Sequence, residues 1–322
     1  NIYVWGLNDN GQIPSSSTSN NVSPILMPKT GSLLYADSIT FIGFTAYSGY
    51  ALTNTGKLHV WGKSSSTTIM NGTGVVQNDP IELTALSTIG ASNNIVNPLF
   101  GKTIVKVSPS RTNIFALTSE GKLYAWGLNN NGLFGNGNTT NSTTPVLVAQ
   151  TNFPNKLIVD MYTINEDLIV LCSDGTIFSA GFNSTNRLTT INNGSLQFTR
   201  VSKLFKGIQS SGNLIVQSKE GELHATAPAG AYALGINDIR SFTNFYNLSQ
   251  DTSFKRTSAG KQIVHVEGNA TTSGVTQSFA FYLAADGSLF STGYNANGEL
   301  NDSTLTTIRV LKQVNNFGTI RG

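Results

Sequence analysis

Short apolar runs recur along the chain at separations of 46 to 66 residues. Apolar side chains occupy both odd and even positions of these runs, as Leu123, Tyr124 and Ala125 illustrate. Successive side chains of a β-strand point to opposite faces, so a strand that is apolar at every position is covered on both sides. The runs therefore predict six strands sandwiched between neighbouring sheets, near residues 1–6, 56–62, 121–127, 175–181, 221–227 and 287–293.

A second apolar run precedes five of these six strands and is joined to each by a short turn that ends in Gly. Gly tolerates the positive φ that tight hairpin turns require, and two β-rich runs joined in this way are typical of a hairpin. Each of these repeats is therefore predicted to have a hairpin at its centre. The turns end at Gly56, Gly121, Gly175, Gly221 and Gly287.

An Asn-x-x-Gly segment follows three of the predicted strands, at Asn8–Gly11, Asn129–Gly132 and Asn295–Gly298. The order of a strand ending in Leu-Thr-x-x-Gly, then x-Leu-Tyr-x-Trp-Gly, then this segment resembles the repeat of the regulator-of-chromosome-condensation family. Within the chain, Thr112–Val148 is the copy nearest to that pattern. The fourth and fifth repeats depart from it, because Ala180 and Thr226 stand where the Trp is expected.

The resemblance implies an all-β fold, a single β-propeller domain over residues 1–322 built of four-stranded antiparallel blades. Six repeats can be counted, whereas the family usually has seven blades. Only 29 residues follow Gly293, about half of the mean repeat separation, and Phe317–Gly322 resembles the first strand of another blade. We therefore expect either a longer chain or an incomplete terminal blade that a neighbouring subunit completes by strand addition.

Charged residues make up 11% of the chain, and the formal net charge is +3. The basic residues are scattered, with Lys255 and Arg256 as their only adjacent pair. Since nucleic-acid binding needs a concentrated basic surface, we expect no nucleic-acid partner. No apolar stretch reaches the ~18 residues of a membrane-spanning helix, so we predict no membrane insertion.

The histidines and the cysteine, the residue types most often used in catalysis, occupy positions where a role in packing is expected. His59 and His224 stand where other repeats have Tyr or Phe, which favours half-buried structural histidines, and His265 lies in an alternating strand. Asn8–Gly11 faintly resembles a calcium loop but lacks the bidentate Glu. We therefore predict no enzymatic activity, metal or cofactor. Cys172, the only cysteine, aligns with small residues in the other repeats: Thr53, Thr118, Ser218 and Ala285.

Nine Asn-x-Ser/Thr sequons occur, close to the number expected by chance for a chain with 35 Asn. All lie in segments rich in turn residues, and the candidate glycosylation sites are Asn138, Asn141, Asn247 and Asn269. The excess of 35 Asn over 13 Lys indicates selection for an uncharged, hydrogen-bonding surface. Such surfaces are common on secreted proteins, so we expect an extracellular or cell-surface location.

Residues 63–100 and 227–260 are the longest irregular segments. The second contains aromatic residues that serve either as partner contacts or as the small core of a loop: Phe242, Phe245, Tyr246 and Phe254. Our leading hypothesis is a non-catalytic extracellular propeller that presents loops, or an open blade edge, to a protein partner or surface assembly. The resemblance leaves two alternatives, an intracellular regulator of the nucleotide-exchange or chromatin type and a propeller-type enzyme inhibitor.

Overall fold

The structure is a computed structural model of the 322-residue chain. It describes residues 3–6, 8–14, 19–27, 38–63, 76–90, 94–110, 112–148, 153, 155–164, 167–181, 195–204, 207–210, 214–227, 232–238, 240, 242–271 and 274–314. These residues form two compact units, Asn1–Thr163 with Leu196–Phe198 and Ile164–Ser195 with Thr199–Gly322. The single domain expected over residues 1–322 stays a prediction.

The first unit is built from antiparallel β-sheets. Its strands are β1 (Tyr3–Gly6), β2 (Asn21–Leu26), β3 (Ile39–Phe44), β4 (Ser48–Thr53), β5 (Leu58–Lys63), β6 (Val76–Glu82), β7 (Thr88–Ile89), β8 (Ile95–Val96), β9 (Ile104–Pro109), β10 (Asn113–Thr118), β11 (Leu123–Gly127), β12 (Ser142–Leu147) and β13 (Ile158–Ile164). Two sheets are four-stranded, in the orders β3-β4-β5-β6 and β9-β10-β11-β12. The pairs β1–β2 and β7–β8 are two-stranded.

The second unit repeats this architecture and adds one short helix. Its elements are β14 (Asp167–Cys172), β15 (Thr176–Gly181), β16 (Ser195–Leu204), β17 (Gly207–Ser210), β18 (Leu214–Gln217), β19 (Leu223–Ala227), β20 (Phe242–Asn247), α1 (Thr252–Thr257), β21 (Ile263–Thr271), β22 (Gly274–Ala284), β23 (Leu289–Gly293) and β24 (Ile308–Gln313). Strands β17 to β20 and β21 to β24 each pair antiparallel in chain order, and one parallel bridge, Ser210 to Glu267, joins the two sets.

The six predicted recurring strands are β1, β5, β11, β15, β19 and β23. Strands β4, β10 and β14, which precede three of them, are buried along their whole length, and so are β11 and β15. Trp61 and Trp126 are fully buried near the ends of β5 and β11. The Trp61 indole N–H donates to the carbonyl of Gln12 at 2.5 Å. Burial on both faces of these strands confirms the prediction made from their apolar pattern.

The hairpin turns share one hydrogen-bonding pattern. The amide of the turn Gly, whose φ lies between +71° and +88°, donates to the carbonyl three residues earlier at 2.9–3.0 Å. The accepting residues are Thr53, Thr118, Cys172, Ser218 and Ala284. Alignment of Cys172 with Ala285 was therefore wrong by one residue. Where the acceptor is Thr or Ser, its hydroxyl also accepts from the amide after the Gly, at 3.1–3.2 Å.

Each Asn-x-x-Gly segment is a loop built around one fully buried Asn, at Asn8, Asn129 or Asn295. The Oδ1 atom of this Asn accepts from the amide five residues later, at 2.7, 2.8 and 2.9 Å respectively. The side chain thus satisfies a buried backbone donor and shapes the loop. In the part of the chain that the structure describes, no group of three or more His, Cys, Asp or Glu could hold a metal ion.

Two features fall outside the predictions. Helix α1 was not predicted, and it begins where the Asp251 carboxylate accepts from the Phe254 amide at 3.0 Å, a common helix cap. No helix within the described ranges is long and apolar enough to cross a membrane. Phe317–Gly322 lies outside the described residues, so the incomplete terminal blade stays a prediction.

Candidate protein-binding surfaces

Residues 83–90 and 94–101, between β6 and β9, form a small lobe that we call the 83–101 insertion. It contains one turn of 3-10 helix and the β7–β8 hairpin. Its inner side chains Leu83, Ile89 and Leu99 are fully buried and belong to the same apolar cluster as Ile104 of β9. The insertion is therefore packed into the core of the first unit.

Asn97 fixes the conformation of the 83–101 insertion. Its side chain is nearly fully buried, and its Nδ2 atom donates to the carbonyls of Leu83 and Leu86, both at 2.8 Å. Its Oδ1 atom accepts from the Leu99 amide at 3.0 Å. These bonds pair backbone groups that would be costly to leave unsatisfied in a buried place. A hairpin held in this way loses little conformational entropy when a partner binds.

The insertion exposes three large apolar side chains. Ile95, Val96 and Phe100 are 44%, 78% and 54% exposed, and we call these three residues the 95–100 apolar group. Gly90, at φ +96°, lets Ile95 cross the hairpin, because a Cβ there would lie 2.8 Å from Ile95 Cδ1. Single exposed apolar residues are ordinary, but three within six residues on a fixed element make the insertion a candidate contact surface.

Charged side chains meet close to Lys102, the second residue after Phe100. The Lys102 ammonium lies 2.8 Å from Glu120 Oε1, and the Lys122 ammonium lies 3.6 Å from Glu120 Oε2. The hydrogen bond to Glu120 raises the pKa of Lys102, and the same bond lowers the pKa of Glu120. One carboxylate is therefore shared by two ammonium groups at neutral pH.

Strand β20 carries three of the four aromatic residues singled out in the sequence, Phe242, Phe245 and Tyr246. Phe242 and Tyr246 are partly buried against the core of the second unit, with ring centroids 4.7 Å apart. The Arg240 guanidinium lies 5.7 Å from the Phe242 centroid and 2.6 Å from Asp238. The Tyr246 hydroxyl donates to Asp251 at 2.8 Å, and burial raises the pKa of Tyr246. This aromatic pair is a second candidate surface.

Phe245 and Phe254 differ in their availability to a partner. Phe245 is partly buried on β20. Phe254 is only 3% exposed, because α1 turns it inward, where its ring meets Tyr282 edge to face at 5.7 Å between centroids. Phe254 is therefore a core residue, and partner contact in this segment depends on Phe242, Phe245 and Tyr246.

The three histidines and the cysteine lie on four separate strands, β5, β19, β21 and β14. His59 is fully buried, more deeply than the half-buried state predicted, and Cys172 is 1% exposed. The Nε2 atoms of His224 and His265 each lie 3.8 Å from a carboxylate, of Glu222 and Glu267 respectively. The burial of His59 and Cys172 agrees with a packing role for both.

The candidate glycosylation sites lie in different settings. Asn138 and Asn141 are exposed in the loop after β11. Asn247 ends β20, where its Nδ2 atom donates to Glu222 at 2.9 Å, and Asn269 lies within β21. The expectation that all sequons lie in loops was therefore wrong for Asn247 and Asn269. Glycosylation itself stays a prediction.

The 95–100 apolar group was not predicted from the sequence, although residues 63–100 were recognised as a long irregular segment. The available signal was the apolar pair Ile95-Val96 in an Asn-rich stretch. Two adjacent apolar residues are too few to show a strand or helix periodicity. The prediction of partner contacts was therefore placed on the aromatic residues of segment 227–260 and not on segment 63–100.

Comparison with known proteins agrees with the repeat seen in the sequence. A family model described as the regulator of chromosome condensation (RCC1) repeat matches residues 120–161, and a second model of that description matches residues 104–133. The E3 ubiquitin-protein ligase HERC2 of Homo sapiens is 22% identical over 293 residues, which are 89% of this chain and 6% of HERC2. The chain thus spans a small fraction of the length of that curated relative.

Two solved structures resemble nearly the whole chain. Human WBSCR16 is 16% identical with a TM-score of 0.75, covering 97% of this chain and 75% of that one. Prp20p of Saccharomyces cerevisiae is 16% identical with a TM-score of 0.73, covering 98% of this chain and 73% of that one. At such low identity, likeness of this extent shows a shared fold and leaves function to be argued from the surface.

Proposed function

The chain is a β-propeller of RCC1-like repeats, and from that premise we propose that it is a protein-binding regulatory module whose main contact surface includes the 95–100 apolar group. The module is non-catalytic in this proposal, because His59 and Cys172 are buried in the core. Its rigid sheets serve to hold the 83–101 insertion in a fixed position.

Proteins with the same fold support a role in protein binding. The structure of Prp20p was described together with its binding properties to Gsp1p and histones. A second structure shows Kap60 bound to yeast RCC1 (Prp20). Gsp1p, histones and Kap60 are partners of Prp20 and are not proposed as partners of this chain. The ligase activity in the name of HERC2 is likewise not proposed for this chain. What supports the proposal is that the fold presents surfaces to other proteins in these relatives.

One observation carries the proposal. The 83–101 insertion is anchored by buried Leu83, Ile89 and Leu99, and it exposes Ile95, Val96 and Phe100. Exposed apolar area on a fixed element is costly in water, and covering it by a partner recovers about 25 cal/mol per Å². The β20 aromatic pair is a weaker candidate, because Phe242 and Tyr246 are already packed on their own core.

Photo-crosslinking at position 96 tests the proposal. A photoreactive phenylalanine analogue at Val96 should form adducts with a specific protein in extracts of the cells that make this protein. An excess of unlabelled wild-type chain should abolish the adduct, whereas the Val96→Asp chain should not compete. The matched control is the same analogue at Val105, which is 51% exposed on β9. Equal adducts at both positions would contradict the proposed surface.

Two cellular locations of the protein are proposed, each supported by a different observation. The Asn-rich, sparsely charged composition favours an extracellular module. The binding properties described for Prp20p favour the alternative, an intracellular regulator. Tracking the tagged full-length protein decides between them, since recovery from the medium or cell surface supports the first and recovery from inside the cell supports the second.

A further inference from the structure

Four Asn-Gly pairs lie in the part of the chain that the structure describes. They are Asn10-Gly11, Asn131-Gly132, Asn136-Gly137 and Asn297-Gly298. An Asn followed by Gly is prone to deamidation, because the backbone nitrogen of the Gly can attack the side-chain amide carbon and no Cβ atom obstructs it. Since the four pairs share this local chemistry, their hydrogen bonds decide which of them reacts.

The attacking nitrogen is held in three of the pairs. The amides of Gly11, Gly132 and Gly298 each donate to the carbonyl three residues earlier, at 3.0, 2.9 and 3.2 Å. Each of these bonds must open before the nitrogen can attack. Among the described residues the Gly137 amide has no such acceptor, and Gly137 is exposed to solvent, where hydroxide can remove the amide proton.

The side-chain carbonyl of Asn136 is polarised by two donors. Its Oδ1 atom accepts from the Asn138 amide at 3.3 Å and from the Asn129 Nδ2 atom at 3.4 Å. Both bonds are long, and they strengthen as negative charge develops on Oδ1 during the attack. Asn129 is fully buried, so this donor is held in place while the reaction proceeds.

The departing amino group is also unhindered at Asn136. Asn10 Nδ2 donates to Asp9 at 2.8 Å. Asn297 Nδ2 donates to Glu299 at 2.8 Å. Within the described ranges both hydrogen bonds of the Asn136 side chain are made by Oδ1 and none by Nδ2. Loss of ammonia from Asn136 therefore breaks no hydrogen bond there.

We propose that Asn136 is a site of spontaneous deamidation, which the fold selects among these four pairs. Hydroxide removes the Gly137 amide proton, and the nitrogen forms a bond to Asn136 Cγ. The Cγ–Nδ2 bond then breaks, the leaving nitrogen takes a proton from water and departs as ammonia, and a cyclic succinimide remains. Water opens this ring at either carbonyl, which yields aspartate or isoaspartate.

Either product places a carboxylate in the loop after β11, on a chain in which charged residues make up only 11%. Aspartate still accepts from the Asn129 side chain, and a charged acceptor makes the stronger hydrogen bond. In isoaspartate the backbone passes through the former side chain and is longer by one methylene group, so the loop has to rearrange. This inference does not depend on the proposed binding surface.

Peptide mapping of the folded full chain by mass spectrometry, during incubation at mildly alkaline pH, tests the proposal. Deamidation raises the mass of a peptide by about 1 Da. Asn136 should react at least about tenfold faster than the other three Asn, because a local opening that costs about 1.4 kcal/mol slows those by that factor. Asn131 and Asn136 share the tryptic peptide 123–156, so fragment ions assign the position.

Two controls separate the effect of the fold from that of the sequence. In urea that unfolds the chain, the four Asn should deamidate at similar rates, because the hydrogen bonds that distinguish them are gone. In Asn136→Gln the fast release of ammonia should disappear, since Gln closes the larger ring much more slowly. Isoaspartate at position 136, detected with protein isoaspartyl methyltransferase, should accompany the mass change.

Three results would overturn the proposal. The first is an equal rate at the four Asn of the folded chain, or a lower rate at Asn136. The second is the same ratio of rates in the folded and the unfolded chain, which would show that the fold does not select Asn136. The third is deamidation of Asn136 without isoaspartate, because a succinimide formed by Gly137 opens to both products.

Discussion

Asn129 shows how one buried amide stabilises a loop of the repeat. Its Oδ1 atom accepts from the Phe134 amide at 2.8 Å, and its Nδ2 atom donates to the Asn138 carbonyl at 2.9 Å. In Asn129→Ala the buried Phe134 amide loses its partner, whereas the carbonyl of the exposed Asn138 can bond to water instead. We expect the free energy of unfolding to fall by about 1–3 kcal/mol, the cost of leaving one buried backbone donor unsatisfied.

Urea unfolding measures this effect, and Asn130→Ala is the control. Asn130 is the neighbouring exposed Asn, so its replacement should change stability by less than about 0.5 kcal/mol. Equal losses for the two variants would show that the buried amide does not hold the loop. The recurrence of Asn before Gly was visible in the sequence, but a turn residue and a buried loop anchor have the same signature there.

Gly49 and Trp61 form one packing unit across β4 and β5, where they are directly opposite each other. A Cβ atom at position 49 would lie 2.2 Å from Trp61 Cε2, so even one methyl group displaces the indole. Gly49→Ala is therefore expected to cost about 1–3 kcal/mol of unfolding free energy, the usual range for overpacking.

A double-mutant cycle tests this contact. In a Trp61→Leu background the clash is removed, so adding Gly49→Ala should cost clearly less than it does in the wild-type chain. Chemical denaturation of the four proteins provides the measurement. Additive losses would mean that the methyl group acts on the backbone of β4 and not on the indole.

Replacing Asn97 should lower the free energy of local opening of the 83–101 insertion. In Asn97→Ala the carbonyls of Leu83 and Leu86 and the Leu99 amide lose their side-chain partner. Hydrogen exchange of amides in residues 83–101 should become at least about tenfold faster, because a local opening free energy falls by more than 1.4 kcal/mol. Exchange in β10 should stay slow.

Asn94→Ala is the matched control for that experiment, since Asn94 is exposed on the same insertion. Its exchange profile should equal that of the wild-type chain. If Asn97→Ala behaves in the same way, the apolar contacts of Leu83, Ile89 and Leu99 alone hold the insertion, and the hydrogen bonds of Asn97 are dispensable.

The elements differ in how far the sequence could predict them. Strands β4, β5, β10 and β11 were predictable because their apolar pattern and turn Gly are local signals. The 83–101 insertion was not, since Leu83, Ile89 and Leu99 follow neither a strand nor a helix period and are stabilised by contacts with residues such as Ile104. Helix α1 spans six residues, too short for a periodic pattern.

At the scale of the whole molecule, several of the described charged residues form ion pairs or hydrogen bonds that stabilise loops and turns. Burial alone would raise the pKa of Asp302, whose side chain is 2% exposed, but hydrogen bonds from Lys312, Thr304 and Asn295 outweigh it and lower the pKa. The hydrogen bond from Lys261 lowers the pKa of Asp286 to about 2. Hydrogen bonds also lower the pKa of Glu222, those from Gln250 and Asn247 being the main cause.

These depressed pKa values predict that the molecule loses stability in acid. Unfolded Asp and Glu titrate near pH 3.9 and 4.3, so the unfolded chain binds protons there while the folded carboxylates stay ionised. The stabilisation is complete above about pH 5 and is lost as pH falls from there toward 2. The raised pKa of Lys102 adds no pH dependence in this window, because its stabilisation is fully present at every pH below the unperturbed Lys pKa of about 10.4.

Urea midpoints measured from pH 7 to pH 2.5 should therefore stay nearly level above pH 5 and decline below it. Asp302→Asn should be less stable than wild type at pH 7, since Lys312 loses its carboxylate, yet its midpoint should decline less steeply below pH 5. If the urea midpoint of Asp302→Asn falls with pH in parallel with that of wild type, protonation of Asp302 does not contribute to the loss of stability in acid. A wild-type midpoint that stays level down to pH 3 would contradict the whole set, because each depressed pKa requires proton uptake on unfolding.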